Sequence, residues 1–300
     1  MKAKQKLIAV VGPTASGKTG LSIALAKKYN GEVISADSRQ VYKELDLGTE
    51  KVTEEEMQGI PHYCIDIASP KRAFSVEQWR RHAQKALKTI EKHKTLPIVA
   101  GGTGFYVDAL VYNYDFPKVA PNYKLRNELS NKSVEELFEV LSRLDERRAQ
   151  TVESKNPRRL IRAIEIAVAL GKVPSLNKRK TNFDVLWIGL NPGLDELTNK
   201  IVRRFNKTLE SGLIIETNMV RNELGLSWKR INELGLEYRI VGEYIRGEIS
   251  IEEMREKNIR ELRKYAKRQM TWLKRNTEII WFENKDDALK DKDLQMLLSK

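Results

Sequence analysis

A lysine and a threonine close the stretch Gly12-Pro13-Thr14-Ala15-Ser16-Gly17-Lys18-Thr19, which has the spacing G-x-x-x-x-G-K-[ST] and directly follows the apolar run Leu7-Ile8-Ala9-Val10-Val11. Residues of these types in this order grip a chain of phosphates. The glycines let backbone N–H groups turn inward around anionic oxygens, the Lys18 ammonium adds a point charge, and the Thr19 hydroxyl is placed to ligate a magnesium ion. A helix expected over residues 20–29, with Leu21, Ile23, Ala24 and Leu25 as its apolar positions, aims the positive end of its dipole at the same place. The motif leaves open which phosphates are held.

Two further stretches can complete a reaction centre. Ser35-Ala36-Asp37-Ser38-Arg39-Gln40-Val41-Tyr42 puts an acid at the carboxyl end of an expected strand, where open α/β sheets hold their ligands. Asp37 there is a general base, a magnesium partner or simply a helix N-cap. Gly101-Gly102-Thr103-Gly104-Phe105-Tyr106 follows another strand; its glycines permit close backbone approach, or merely a strand-to-helix turn, and Thr103 presents a hydroxyl at the same rim.

The elements that must position these residues are legible in the hydrophobic pattern. Strand-like runs at residues 6–11, 32–35, 96–100, 185–190 and 278–282, with amphipathic helices between the first three, predict an α/β fold with a P-loop NTPase-like parallel sheet core. Charged helices such as 133–144 and 158–170, without a convincing strand, predict an inserted helical domain over residues 113–182, leaving 1–112 and 183–300 as the core. The charged tail 286–300 reads as a surface helix.

Charge indicates the partner. Lysine and arginine number 54 against 41 aspartates and glutamates, a net +13, which steers polyanions toward the surface. The excess is concentrated in residues 259–275, where Arg260, Arg263, Lys264, Lys267, Arg268, Lys274 and Arg275 face a single acid, Glu261, with Tyr265 and Trp272 interleaved. Such a helix face neutralises phosphates along a nucleic-acid strand, or is simply solvated, while its aromatics stack on bases or pack inward. Arg158, Arg159 and Arg162 form a second cluster, on a helix opened by Asn156-Pro157. One cysteine, Cys64, and three histidines offer neither a disulfide framework nor a zinc cluster, and no apolar run reaches about eighteen residues. The expectation is a cytoplasmic protein with no membrane partner. Asn284-Lys285-Asp286-Asp287 matches the guanine-reading pattern N-K-x-D, but it lies too late in the chain and no D-x-x-G precedes it.

Taken together, the chain resembles the tRNA dimethylallyltransferases. The resemblance rests on the P-loop, on residues 34–42 followed by Asp46-Leu47-Gly48-Thr49, on Gly59-Ile60-Pro61-His62-Tyr63 and on Gly101–Tyr106. It continues through Arg158-Arg159-Leu160-Ile161-Arg162-Ala163-Ile164-Glu165 and Tyr265-Ala266-Lys267-Arg268-Gln269-Met270-Thr271-Trp272. It implies that Gly12, Pro13, Thr14, Ala15, Ser16, Gly17, Lys18 and Thr19 hold dimethylallyl diphosphate, with magnesium near Thr19. Asp37 would accept the proton of an adenine amine and Thr103 would orient it. Ser38, Arg39 and Gln40 would lie on the path of a flipped-out nucleotide of the tRNA anticodon stem-loop. Arg126, Arg158, Arg159, Leu160, Ile161, Arg162, Lys267 and Arg268 would contact the same tRNA, and the enzyme would work as a monomer. Asn156 stands where the family usually has aspartate, and Gly235-Leu236-Glu237-Tyr238 replaces the more usual Gly-Tyr pair. Both departures are expected to bear on anticodon-loop contacts and not on the reaction. The residues alone still leave room for an adenylate isopentenyltransferase, a small-molecule P-loop kinase or a non-catalytic RNA-binding protein.

Overall fold

The structure, a computed structural model, describes residues 4–176 and 181–299. Met1, Lys2 and Ala3 of the charged start, residues 177–180 of the expected insert and Lys300 lie outside the described residues.

Six strands form one all-parallel sheet: β1 Gln5–Val11, β2 Gly31–Ser35, β3 His62–Tyr63, β4 Leu96–Gly101, β5 Phe183–Leu190 and β6 Ile280–Phe282. Their order is β3-β2-β4-β1-β5-β6. The inner strands are mainly apolar because both faces are covered, as parallel sheets require; the exception inside β2, Glu32, is buried with Tyr63, Thr95 and His93 as its hydrogen-bond partners. Leu7, Ala9 and Val11 of β1 join Ile34 and Val99 on one face, and Ile8 and Val10 join Val33 and Ile98 on the other. Val11 is level with Gly101, and Ser35 with Ala100, so β1, β2 and β4 end at one rim.

Residues 1–112 with 180–300 form one compact unit and residues 113–179 another. The second unit packs the helices Tyr123–Ser130, Val134–Leu144, Glu146–Thr151 and Pro157–Leu170 around Leu129, Leu137, Leu141, Leu160 and Ile164. Local chemistry starts these helices: Ser133 and Glu136 make a reciprocal capping box, and Asn156 Oδ1 accepts the Arg159 N–H at 3.3 Å with Pro157 in the first turn.

Three details depart from the sequence expectation. The two-residue β3 is too short to show a period. The last strand begins only at Ile280, since Asn276 Oδ1 takes the Glu278 N–H in a turn. The tail is a surface element as expected but forms two helices instead of one, Lys285–Lys290 and Lys292–Ser299, whose Ala288 and Leu294 are buried in one cluster with Leu21 and Leu25 of the P-loop helix Lys18–Tyr29. Asn284 is the N-cap of the first of these, accepting the N–H groups of Asp286 and Asp287, both at 2.9 Å, which accounts for the N-K-x-D match. No helix among the described residues is long and apolar enough to cross a membrane.

Candidate active site

The loops after β1, β2 and β4 meet at the shared rim. In the P-loop, Gly12 (φ 154°), Ala15 (φ 62°) and Gly17 (φ 95°) take left-handed backbone that curls the amides inward. Lys18 Nζ donates to the Pro13 carbonyl at 2.5 Å, and burial together with the nearby Arg204 lowers its pKa to about 8 against the opposing pull of Asp37 and Glu50. The Ser16 hydroxyl is buried without a partner among the described residues, a donor suited to a phosphate oxygen. Thr19 is exposed and lines a groove of about 330 Å³ with Gly20, Lys27, Glu56 and Lys285. Beside two lysines, the groove offers a cation little more than the Thr19 hydroxyl and the Glu56 carboxylate, so magnesium would be held mainly through phosphate oxygens and its own waters. No cluster of three or more His, Cys, Asp or Glu side chains able to hold a metal occurs among the described residues.

Asp37 caps no helix. Its Oδ1 accepts the N–H groups of Arg39 (2.7 Å) and Gln40 (3.4 Å), which fixes the carboxylate and leaves Oδ2 without a hydrogen bond among the described residues. Ser38 N–H donates to Thr103 Oγ1 at 3.3 Å, so the acid and the threonine share one backbone tie. The glycines beside Thr103 serve close approach and not turn conformation, since none has positive φ. A Cβ on Gly101 would lie 2.2 Å from the Ala36 carbonyl oxygen, and one on Gly104 would lie 2.4 Å from the Trp272 ring.

Sequence reasoning missed the residues that arrive from far along the chain. Gln269, on the buried stripe of the long helix Ile251–Leu273, accepts the Thr14 N–H at 2.8 Å and donates to the Gly102 carbonyl at 3.0 Å, clamping two loops together. Arg204 pairs with Glu50, which also accepts the Thr14 hydroxyl at 3.1 Å. Burial raises the Glu50 pKa despite Arg204 and Thr14, and raises that of Glu237 to about 8, with the charge of Glu50 adding to it. Glu237 of the motif Gly235-Leu236-Glu237-Tyr238 thus lies within reach of the charges of Glu50, Arg204 and Arg39. Tyr238 donates to Glu216 at 2.6 Å, and Glu216 takes the N–H groups of Asp46, Leu47 and Gly48 at 2.8–3.0 Å, bracing the turn that carries Glu50.

Of the expected nucleotide-path residues, Arg39 donates to the Glu233 carbonyl and Gln40 bridges Ser35 and the Glu50 carbonyl, so both also hold the loop in shape. Along Ile251–Leu273, Lys267 and Arg268 are exposed with Arg260, Arg263 and Lys264, while Leu262, Ala266 and Gln269 face inward. Its aromatics are not free platforms: Trp272 Nε1 donates to Asp108 at 3.1 Å and packs on Gly104. In the helical unit, Arg158 and Arg159 are exposed, Arg159 pairing with Glu153 at 3.1 Å. Arg126 and Arg162 both bind Glu165, Ile161 is half-buried, and Leu160 lies in the core, where its side chain packs and cannot face RNA.

A model of the IPP transferase family matches residues 40–276. The chain belongs to this family. The tRNA dimethylallyltransferase of Anoxybacillus flavithermus is 36% identical over 298 residues, covering 98% of this chain and 95% of the relative. That of Alkaliphilus oremlandii is 39% identical over 290 residues, covering 93% and 91%. Among solved structures, the full-length tRNA isopentenylpyrophosphate transferase of Bacillus halodurans superposes with a TM-score of 0.72 at 34% identity, covering 99% of this chain and 95% of its own. A eukaryotic dimethylallyltransferase acting on tRNA shares the fold, with a TM-score of 0.80 at 23% identity over 98% of this chain and 78% of its own. In this IPP transferase family member the P-loop precedes the matched segment, and Asp37 lies just before its start.

Proposed function

We propose that this site prenylates the exocyclic amine of the adenosine 3′-adjacent to the anticodon, with Asp37 as the base. Transfer of a dimethylallyl group to tRNA follows from membership of the family. In the detailed reading, the amine nitrogen attacks the allylic carbon, the carbon–oxygen bond to the diphosphate breaks, the amine proton passes to Asp37 Oδ2, and pyrophosphate leaves toward Lys18, Arg204 and the P-loop amides. Thr103 orients the amine or the acid. Magnesium held near Thr19 and the diphosphate would offset the charge gathering on the leaving group. The exposed Lys267 and Arg268, and on the helical unit Arg158 and Arg159, contact the tRNA backbone, which the +13 charge attracts. Every residue in this scheme lies on one chain, in keeping with a monomeric working form, and a tRNA substrate is in keeping with a cytoplasmic location.

The observation that carries the reading is the fixed Asp37 carboxylate, one oxygen bound by loop amides and the other open, tied through Ser38 to Thr103 beside a P-loop. The test is to incubate the protein with dimethylallyl diphosphate, magnesium and unmodified tRNA bearing consecutive adenosines 3′ of its anticodon, then weigh the digested nucleosides. A dimethylallyl gain on adenosine is expected, lost with Lys18→Ala and reduced about 100- to 10,000-fold with Asp37→Ala, while tRNA affinity stays within about twofold. Asp37→Ala activity within about tenfold of the parent would remove Asp37 as the base.

A further inference from the structure

Glu50 is a carboxylate belonging to the protein that sits against its phosphate loop. It accepts the hydroxyl of Thr14, whose own N–H is held by Gln269, and it pairs with Arg204 from the helix Leu194–Glu210. The contact is built and not incidental. Glu50 takes left-handed backbone at φ 51°, its carbonyl accepts Gln40 Nε2 at 2.9 Å, and the turn before it is fastened by three N–H bonds to Glu216. Only 17% of its side chain is exposed. The charges acting on it are Arg204 and Lys18, which favour its ionised form, and Asp37, which opposes it, so the carboxylate adds negative charge beside the negative charge of Asp37. A site meant only for structure would give such a buried carboxylate more donors.

We propose that Glu50 is a resident anion of the diphosphate site, occupying Arg204 and Thr14 in the free enzyme and displaced from them by the incoming diphosphate. Arg204 is thereby kept oriented toward the P-loop before substrate arrives, and the release of Glu50 sets the affinity of the site. An anion that brings too little charge to compete with Glu50 for the guanidinium is turned away. The inference rests on the P-loop holding the diphosphate, and the test separates the two.

The dissociation constant of inorganic pyrophosphate with magnesium is measured calorimetrically for the parent, Glu50→Gln, Glu50→Ala and Lys18→Ala, each checked for folding by thermal melt. Glu50→Gln keeps the shape and the Thr14 hydrogen bond but loses the charge, and it is expected to bind pyrophosphate at least about fivefold more tightly at low salt. Glu50→Ala is expected to tighten binding in the same direction, which keeps the test decisive should one variant not fold. Weakened or unchanged binding in the folded Glu50 variants, with binding lost in Lys18→Ala, overturns the role of Glu50 alone. Unchanged binding in Lys18→Ala overturns the P-loop reading beneath it.

Discussion

Glu50 in the sheet unit, largely covered, and Glu165 in the helical unit, fully buried, are both carboxylates paired with arginine, yet their surroundings differ in kind. Burial alone would raise the pKa of Glu165, but the Arg126 guanidinium, the Asn122 N–H and Arg162 outweigh it and bring it down to about 2. Glu50 receives one guanidinium and one hydroxyl, faces Asp37, and is left with a raised pKa. A carboxylate saturated with donors fixes the shape around it. A carboxylate short of donors, beside a loop whose Ser16 hydroxyl also lacks a partner among the described residues, marks a place where a ligand is to supply what is missing.

Removing the cation from the unsaturated site should have the largest effect. Arg204→Ala is expected to lower kcat/KM for dimethylallyl diphosphate roughly 100-fold or more, the scale of losing a charged contact to a leaving group; a loss under about tenfold would mean that Arg204 serves Glu50 alone. In the saturated site the loss falls on stability. Glu165→Gln should cost roughly 2–3 kcal/mol in urea unfolding at neutral pH, because it takes a hydrogen-bonded charge from two half-exposed arginines.

The pH dependence sharpens the contrast through its sign. The folded pKa of Glu165, about 2, lies below the usual carboxylate value, so its contribution is complete above about pH 4.5 and drains away as pH falls toward 2. Glu165→Gln should flatten that acid limb. Glu50 has a raised folded pKa, so its ionised form costs stability above the usual carboxylate range and nothing below it. Glu50→Gln is therefore expected to raise the Tm near pH 7 by a few degrees and to leave it unchanged in acid. A lowered Tm at pH 7 would place Glu50 among structural carboxylates like Glu165.

Smaller effects belong to the surfaces. Lys267→Ala or Arg268→Ala should reduce the slope of log K against log salt for tRNA by about one, without changing pyrophosphate binding. Asn156→Asp should shift stability by under about 0.5 kcal/mol, since either residue caps the helix Pro157–Leu170.

How far the sequence carried depended on the range of the contact that makes each feature. The P-loop, the rim position of Asp37 and five of the strands are written in short runs, where spacing and apolar period act locally. Gln269 looked like one member of a basic stretch, and only the helix packing turns it toward Thr14. Arg204 and Glu50 carry no local signal, because each is ordinary on its own element and acquires meaning from the other. The inner face of the tail was hidden for a similar reason: its charges are conspicuous, whereas Ala288 and Leu294, which decide its packing, are two small features among them.

The sheet order carries a consequence for synthesis on the ribosome. β1, which leads into the phosphate cradle, is flanked by β4 and by β5, Thr14 is held by Gln269, and the P-loop helix rests on Ala288 and Leu294. A cradle encoded in the first twenty residues thus stays unfinished until almost the whole polypeptide has emerged. Chains stopped early, or trimmed back past Gln269 by a protease, should be inert toward diphosphate and not merely slow, which spares the cell partial enzymes that bind substrate without turning it over.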